Sequence, residues 1–334
     1  MWDTVFEARP VLFILIGSDI AMMEALTSYD RPLYGRAKEL VITPFTVADT
    51  AAMVGFDDPA TALEAHLVTG GYPRLCLECR RFGSLMAFMT DQLSDENSEL
   101  VVAGRNVLNA EFPAQLQARQ VLSAIGAGER TNKAIADRAG LKAASLARSL
   151  HTLQQAKRIV AMDLPFSTKA SHDPRYRVAD SYLRLWLRFI EPVLPEIARG
   201  RADVALARVK QSWPDYRGRA IEPLARESLE RLVGDERLHG AQRIGGYWTR
   251  TGEVEVDLVG VDRFPHTRRV DFVGSVKWKE RSPFDRRDVA SLTVQRSKVP
   301  GGDQAPLVAV SRSGYSAADL DAAYGPHDLL DAWR

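Results

Sequence analysis

Residues 253–262 read Glu-Val-Glu-Val-Asp-Leu-Val-Gly-Val-Asp, and after the short turn 263–267 the chain continues Arg-Arg-Val-Asp-Phe-Val-Gly-Ser-Val-Lys over 268–277. Alternation with β-branched residues on both sides of a proline-containing turn predicts two neighbouring strands, a hairpin with a side-chain period of two. On the first strand Glu253, Glu255 and Asp257 share a face; on the second, Asp271, Ser275 and Lys277 do. A carboxylate on one strand facing a lysine on the next suits metal-assisted phosphodiester hydrolysis. Carboxylates hold a hard cation there, and the lysine orients water and neutralises developing charge. That chemistry also asks for a second carboxylate two residues before the lysine, where this chain has Ser275. The stretch reads as a nuclease core with one ligand missing.

The chain has 334 residues, enough for two or three domains. Its net charge is +1, with 44 basic and 43 acidic residues, so no global field draws it to nucleic acid or membrane and any basic patch must be local. The longest apolar run, Val11 to Ile16, is too short to span a bilayer, and Met1-Trp2-Asp3 does not begin a signal peptide, so a cytoplasmic location is expected. The two cysteines, Cys76 and Cys79, read either as small apolar helix residues or as a redox pair or half a zinc site, with no second pair to complete the latter. The six histidines are scattered, and their spacing builds no metal site.

Taken in order, Val11 to Ile16 is apolar on both faces, as a central parallel strand would be. Ser18 or Asp19 caps a helix over Ile20 to Leu26, and a second strand is expected over Glu39 to Thr43. Helices follow near Thr46 to Met53 and Pro59 to Thr69, ending on Gly70-Gly71-Tyr72-Pro73-Arg74, with further helical pattern from Arg81 to Asn109. A three-helix unit then spans Pro113 to Ile125, Thr131 to Ala139 and Lys142 to Gln155, with a glycine-containing turn of helix-turn-helix length and two short strands after it, at Arg158 to Leu164 and Tyr176 to Val178. Tyr182, Leu185, Trp186 and Phe189 recur at helical spacing, as a domain-docking stripe does. The remainder reads as a helix from Tyr216 to about Val233, strands at Leu238 to Ile244 and Gly246 to Arg250, the hairpin, a helix from Asp285 to Lys298, a strand at Pro306 to Ser311 and a helix from Ser316 to Tyr324.

The stretches LFILIGSDIAMMEAL, SYDRPLYGR, ITPF and GGYPRL resemble the second half of the ATPase domain in prokaryotic signal-transducing P-loop ATPases of the STAND class, relatives of the AAA+ proteins. The resemblance implies that Ser18 is a sensor residue beside the nucleotide, that Gly71, Pro73 and Arg74 are nucleotide contacts from the helical lid, and that Arg36 senses charge on a neighbouring subunit. ATP and magnesium are the cofactors of the intact family. The sequence departs from it in lacking Gly-x-x-x-x-Gly-Lys-Ser/Thr, so this chain by itself is expected neither to bind ATP strongly nor to hydrolyse it. A shortened copy, with the phosphate-binding part upstream, is the corresponding expectation for the gene.

Residues 131–160 resemble the winged helix that follows the ATPase in the same family, which implies DNA contact through Lys142, Arg148, Lys157 and Arg158, with Ser145, Ser149 and Thr152 on the same helix; a protein-contact or spacer module is the other reading. The last part resembles the C-terminal PD-(D/E)xK-like domain. Glu222 is then the helix acid, Asp257 the strand acid and Lys277 the lysine, with Glu222 and Asp257 left to hold magnesium. The basic cluster Arg268, Arg269, Lys277, Lys279, Arg281, Arg286 and Arg287 reads as a nucleic-acid surface or as a solvated rim balanced by Glu280, Asp285 and Asp288. The expected fold is therefore α/β and α+β multidomain: a partial P-loop ATPase α/β remnant with its helical lid over 1–110, a winged helix and docking helix over 111–200, and a restriction-endonuclease-like domain over 201–334. The expected function is a regulatory or DNA-associated module with a degenerate nucleotide site; the alternative is a metal-dependent nuclease acting through the C-terminal domain. DNA, another protein or a second copy of the chain are the partners implied, and no membrane.

Overall fold

A computed structural model describes residues 12–17, 20–31, 33–112, 116–316 and 319–334. Fourteen α-helices and seven strands form among them. Residues 12–17 and 38–46 have no regular secondary structure, and all of them except the half-buried Phe45 lie exposed, Leu12 at 84% and Ile42 at 86%. The two strands expected there do not form among the described residues. An apolar run becomes a central strand only with neighbours to pair with, and the two sheets that do form take no strand from this part of the chain.

The helices from Val47 to Glu111 carry their own start and stop signals. Thr46 caps α2 (Val47–Val54) in a reciprocal box with Asp49, and Asp58 caps α3 (Pro59–Thr69), whose first residue is a proline. Gly55 and Gly70 end the two helices in the left-handed conformation. α4 (Pro73–Arg80), α5 (Leu85–Leu93) and α6 (Glu99–Glu111) complete the layer around Leu63, Leu67, Leu75, Phe88 and Leu100. Cys76 and Cys79 are buried in this core on α4, where desolvation pushes the Cys79 thiol up to about 12. They act as small apolar side chains.

Three helices follow: α7 (Leu116–Gly126), α8 (Asn132–Ala139) and α9 (Ala143–His151). An antiparallel pair comes next, β1 (Val160–Asp163) against β2 (Arg175–Val178), with Val160 opposite Val178. The aromatic stripe docks this unit onto the first layer. α10 (Ser181–Leu185) runs on through a π-type turn, Trp186–Ile190, and Tyr182 and Trp186 are fully buried against α6. The Tyr182 hydroxyl donates to the Leu100 carbonyl at 2.8 Å and accepts from the Gly104 N–H at 2.7 Å, while Trp186 Nε1 donates to the Val101 carbonyl at 3.0 Å.

After α11 (Leu194–Ala198), α12 (Ala202–Arg231) crosses to the second sheet, whose strand order is β3-β4-β5-β6-β7. β3 (Arg243–Trp248), β4 (Glu255–Val261) and β5 (Val270–Lys277) are antiparallel neighbours. β6 (Leu307–Ser311), reached through α13 (Arg286–Arg296), and β7 (Ala322–Tyr324) add parallel to β5. A Cβ at Gly274 would lie 2.4 Å from the Val308 carbonyl, so the glycine allows the close pairing of β5 with β6. Two sequence expectations need correction. Leu238 to Ile244 begins as a 3-10 turn, Glu236–Leu238, and only its last two residues belong to β3. The helix expected at Ser316 to Tyr324 is absent among its described residues. Ala322 and Tyr324 instead fill the sheet edge as β7, tied in by Asp321, whose carboxylate accepts from the Leu307 N–H at 2.7 Å, and the last helix, α14 (Pro326–Asp331), follows.

Candidate functional site

α12 places Glu222 and Arg226 one turn apart on the same face, and Arg226 Nη2 reaches Glu222 Oε2 at 3.4 Å. The proline that follows Glu222 matters here. Pro223 has no N–H for the Arg219 carbonyl, and Arg184 of α10 donates to that carbonyl instead, at 3.2 Å. A second guanidinium is thereby brought near Glu222. On the sheet, the register Leu258 opposite Gly274 sets Asp257 of β4 against Ser275 of β5.

Asp257 is well supplied with donors. Its Oδ2 accepts from the Ser275 hydroxyl at 2.8 Å and from the Val276 N–H at 2.9 Å, and its backbone carbonyl accepts from Arg226 Nε at 2.8 Å. Burial pushes its carboxyl up, and these two hydrogen bonds pull it back. Glu222 has weaker support. Burial first and the Asp257 charge second push it from an ordinary 4.5 up to about 7, against the pull of Arg226. The serine that stands where a second strand carboxylate was expected is thus a hydrogen-bond donor to the acid that remains.

Glu255, two residues before Asp257, faces the three-helix unit. Its carboxylate takes both Arg130 nitrogens at 2.9 and 3.3 Å and Arg175 Nη1 at 2.6 Å. Burial would raise Glu255, but the two guanidinium groups outweigh it and hold the acid below the usual carboxylate range. Arg175 comes from β2 and also lies 4.6 Å over the Trp248 ring, so the joint between the two sheets is charged and aromatic together.

Lys277 is directed elsewhere. Its ammonium donates to the Pro283 carbonyl at 2.9 Å and pairs with Asp288 at the start of α13, with only 11% of the side chain exposed. Of the three expected catalytic residues the structure brings Glu222 and Asp257 together and engages Lys277 with α13. The pair fits a divalent cation poorly: Arg226 bonds to both residues, and Asp257 Oδ2 already holds two donors. Among the described residues no group of three or more His, Cys, Asp or Glu side chains is placed to hold a metal.

Ser18 lies outside the described residues. Gly71 (φ +74°) makes a close backbone approach: its carbonyl accepts from the Phe45 N–H at 2.8 Å, and a Cβ would lie 2.2 Å from the Phe45 oxygen. Pro73 is the first residue of α4, and Arg74, 80% exposed, pairs with Glu99 at 2.9 Å. Arg36 lies exposed in the turn after Leu33. A cavity of about 220 Å³ opens nearby, lined by Phe45, His66, Gly70, Arg177, Arg184 and Trp333 among others, but by none of Gly71, Pro73 and Arg74. Of the expected DNA contacts, Lys142 and Arg148 are exposed on α9; Lys157 pairs with Glu111 at 2.9 Å and Arg158 with Glu24 at 3.1 Å. Arg226 was legible as an i+4 partner of Glu222. Arg130 and Arg175 carried no local signal, because their partner is remote in sequence.

Fold and site together define a mixed α/β protein whose five-stranded sheet carries Asp257 beside Glu222 of α12, next to the Glu255 joint with a three-helix unit. Residues 186–290, which hold Glu222, Arg226, Glu255, Asp257, Ser275 and Lys277, match the DUF234 family model, described as archaea bacterial proteins of unknown function. The chain is also similar to the uncharacterized protein MJECL04 of Methanocaldococcus jannaschii, at 26% identity over 305 residues, covering 87% of this chain and 65% of the relative. No solved structure matches.

Proposed function

We propose that this chain is a DNA-associated regulatory module in which the three-helix unit offers α9 to a duplex and the endonuclease-like sheet serves as its platform without hydrolysing. The observation that carries this reading is the outward side of α9 and its continuation. Lys142, Arg148, His151 and Gln155 are exposed along it, while Leu146, Leu150 and Leu153 are buried on the inner side. A helix that follows a short turn and keeps its polar side free has the placement to enter a major groove. The inner side of the unit is held by α10 and by the bonds of Arg130 and Arg175 to Glu255, so the outer face is held in a fixed position. Similarity of the N-terminal part to the lid of signal-transducing ATPases supports a regulatory part. The sequence holds no phosphate-cradling Gly-x-x-x-x-Gly-Lys-Ser/Thr, so the reading gives it no ATP hydrolysis of its own. Cleavage is the weaker alternative, because Lys277 is turned to Asp288 and Asp257 to Ser275.

Titration of a fluorescent duplex followed by anisotropy tests the reading. Saturable binding is expected that weakens as salt rises, with Lys142→Ala/Arg148→Ala lowering the salt slope by about 1 for each phosphate contact removed. A double variant that binds with unchanged affinity and slope would remove α9 from the interface.

A further inference from the structure

The loop joining β5 to α13 and the first turn of α13 carry four cations, Lys279, Arg281, Arg286 and Arg287, interleaved with three acids, Glu280, Asp285 and Asp288. In sequence the charges nearly cancel. In the structure they separate. Glu280 accepts from the buried Arg217 at 2.7 Å. Asp285 accepts from the backbone N–H groups of Arg287 and Asp288 at 2.8 and 3.1 Å as the cap of α13. Asp288 takes the Lys277 ammonium and the Asp285 N–H. The side-chain partners of all three acids are thus groups other than the four cations, although the Arg281 charge also acts on Glu280 from further away. Lys279, Arg281, Arg286 and Arg287 are all exposed, and none has an ion-pair partner among the described residues. Arg269, counted with them in sequence, differs: it is paired with Asp271.

A second observation points the same way. Arg286 and Arg287 occupy the first two positions of an eleven-residue helix, where the helix dipole is positive and cations are disfavoured. Clustered like charges at the wrong helix end are a local conflict that an anionic ligand relieves. We propose that the 279–287 loop is a phosphate-binding surface for the backbone of duplex DNA, separate from α9. The apolar residues within it do not offer an anchor for a protein partner: Phe284 is buried and Pro283 has its carbonyl on Lys277. Spaced guanidinium groups without apolar anchors suit a repeating phosphate chain, with contacts that position the duplex and carry no sequence preference.

The test is anisotropy of a random-sequence duplex with the full chain between ~50 and ~200 mM salt, comparing wild type, K279A/R281A/R286A/R287A and the charge reversal R286E/R287E. The alanine variant is expected to lower the slope of log affinity against log salt by about 3–4, to bind at least about tenfold more weakly at low salt, and to melt no lower than wild type, since the four side chains hold nothing inside the protein and two of them sit at the disfavoured helix end. The charge reversal is expected to weaken binding further. Unchanged affinity and slope in both variants overturns the proposal. So does displacement of the duplex by polyglutamate as readily as by unlabelled DNA, which would assign the loop to an acidic protein. Lys142→Ala/Arg148→Ala measured alongside keeps the two surfaces apart: a normal slope there with a reduced slope in the loop variant removes α9 and leaves the loop standing.

Discussion

Glu222 sits under two opposing influences, a buried position beside Asp257 and the guanidinium of Arg226. The first prevails, and its acid is displaced from 4.5 to about 7. An acid raised in this way holds a proton in the folded chain that the unfolded chain releases. Its contribution to stability is complete below pH 4.5 and is lost as the pH rises through about 7. Glu222→Gln removes that dependence. The variant is expected to match wild type near the acid end of the window and to exceed it by on the order of 1–3 kcal/mol at about pH 8, measured by urea denaturation at a series of pH values. Parallel curves for the two proteins would show that Glu222 stays charged. Burial raises Asp257 too, but there the Ser275 hydroxyl and the Val276 N–H support the charged form and oppose the rise. Ser275 serves Asp257 as a hydroxyl donor.

Among the elements, the docking helix α10 was the most legible, because its aromatic spacing names the buried face directly. The structure adds that Tyr182 and Trp186 each place a polar atom on backbone groups of α6, which a leucine could not do. Tyr182→Phe keeps the packing and removes the hydroxyl that bridges the Leu100 carbonyl and the Gly104 N–H, at an expected cost of about 1–3 kcal/mol in chemical denaturation. A variant as stable as wild type would mean that water reaches those groups. The hairpin was legible from its period of two, and so was the seat of its acids. Elements that depend on remote partners were not. Residues 12–16 have the composition of a buried strand but no ladder, and Ala322-Ala323-Tyr324 has helical composition but lies beside the buried Val308–Val310 edge, which takes it as a strand. The site was half visible for the same reason: Asp257 follows from the hairpin alternation, Glu222 from the family resemblance and Arg226 stands at i+4 from it, whereas Arg130 and Arg175 reach Glu255 from 125 and 80 positions away.

At the scale of the molecule, the parts are joined by buried charge. Glu64 of α3 accepts from Trp278 at 2.9 Å, from Arg312 at 2.7 Å and from Arg217 at 3.2 Å, tying the first helical layer to the last sheet. Glu255 does the same between the three-helix unit and β4. A buried acid with this many donors fixes geometry more than it adds net stability. The acids that join the parts, Glu64 and Glu255, are distinct from the Glu222–Asp257 pair, and α9 and the 279–287 segment carry exposed cations without an ion-pair partner among the described residues. The most direct test is to incubate the full chain with supercoiled plasmid in magnesium and in manganese and to follow both retardation and topology. The account predicts retarded plasmid that stays supercoiled; nicking by wild type that is lost in Lys277→Ala would contradict it.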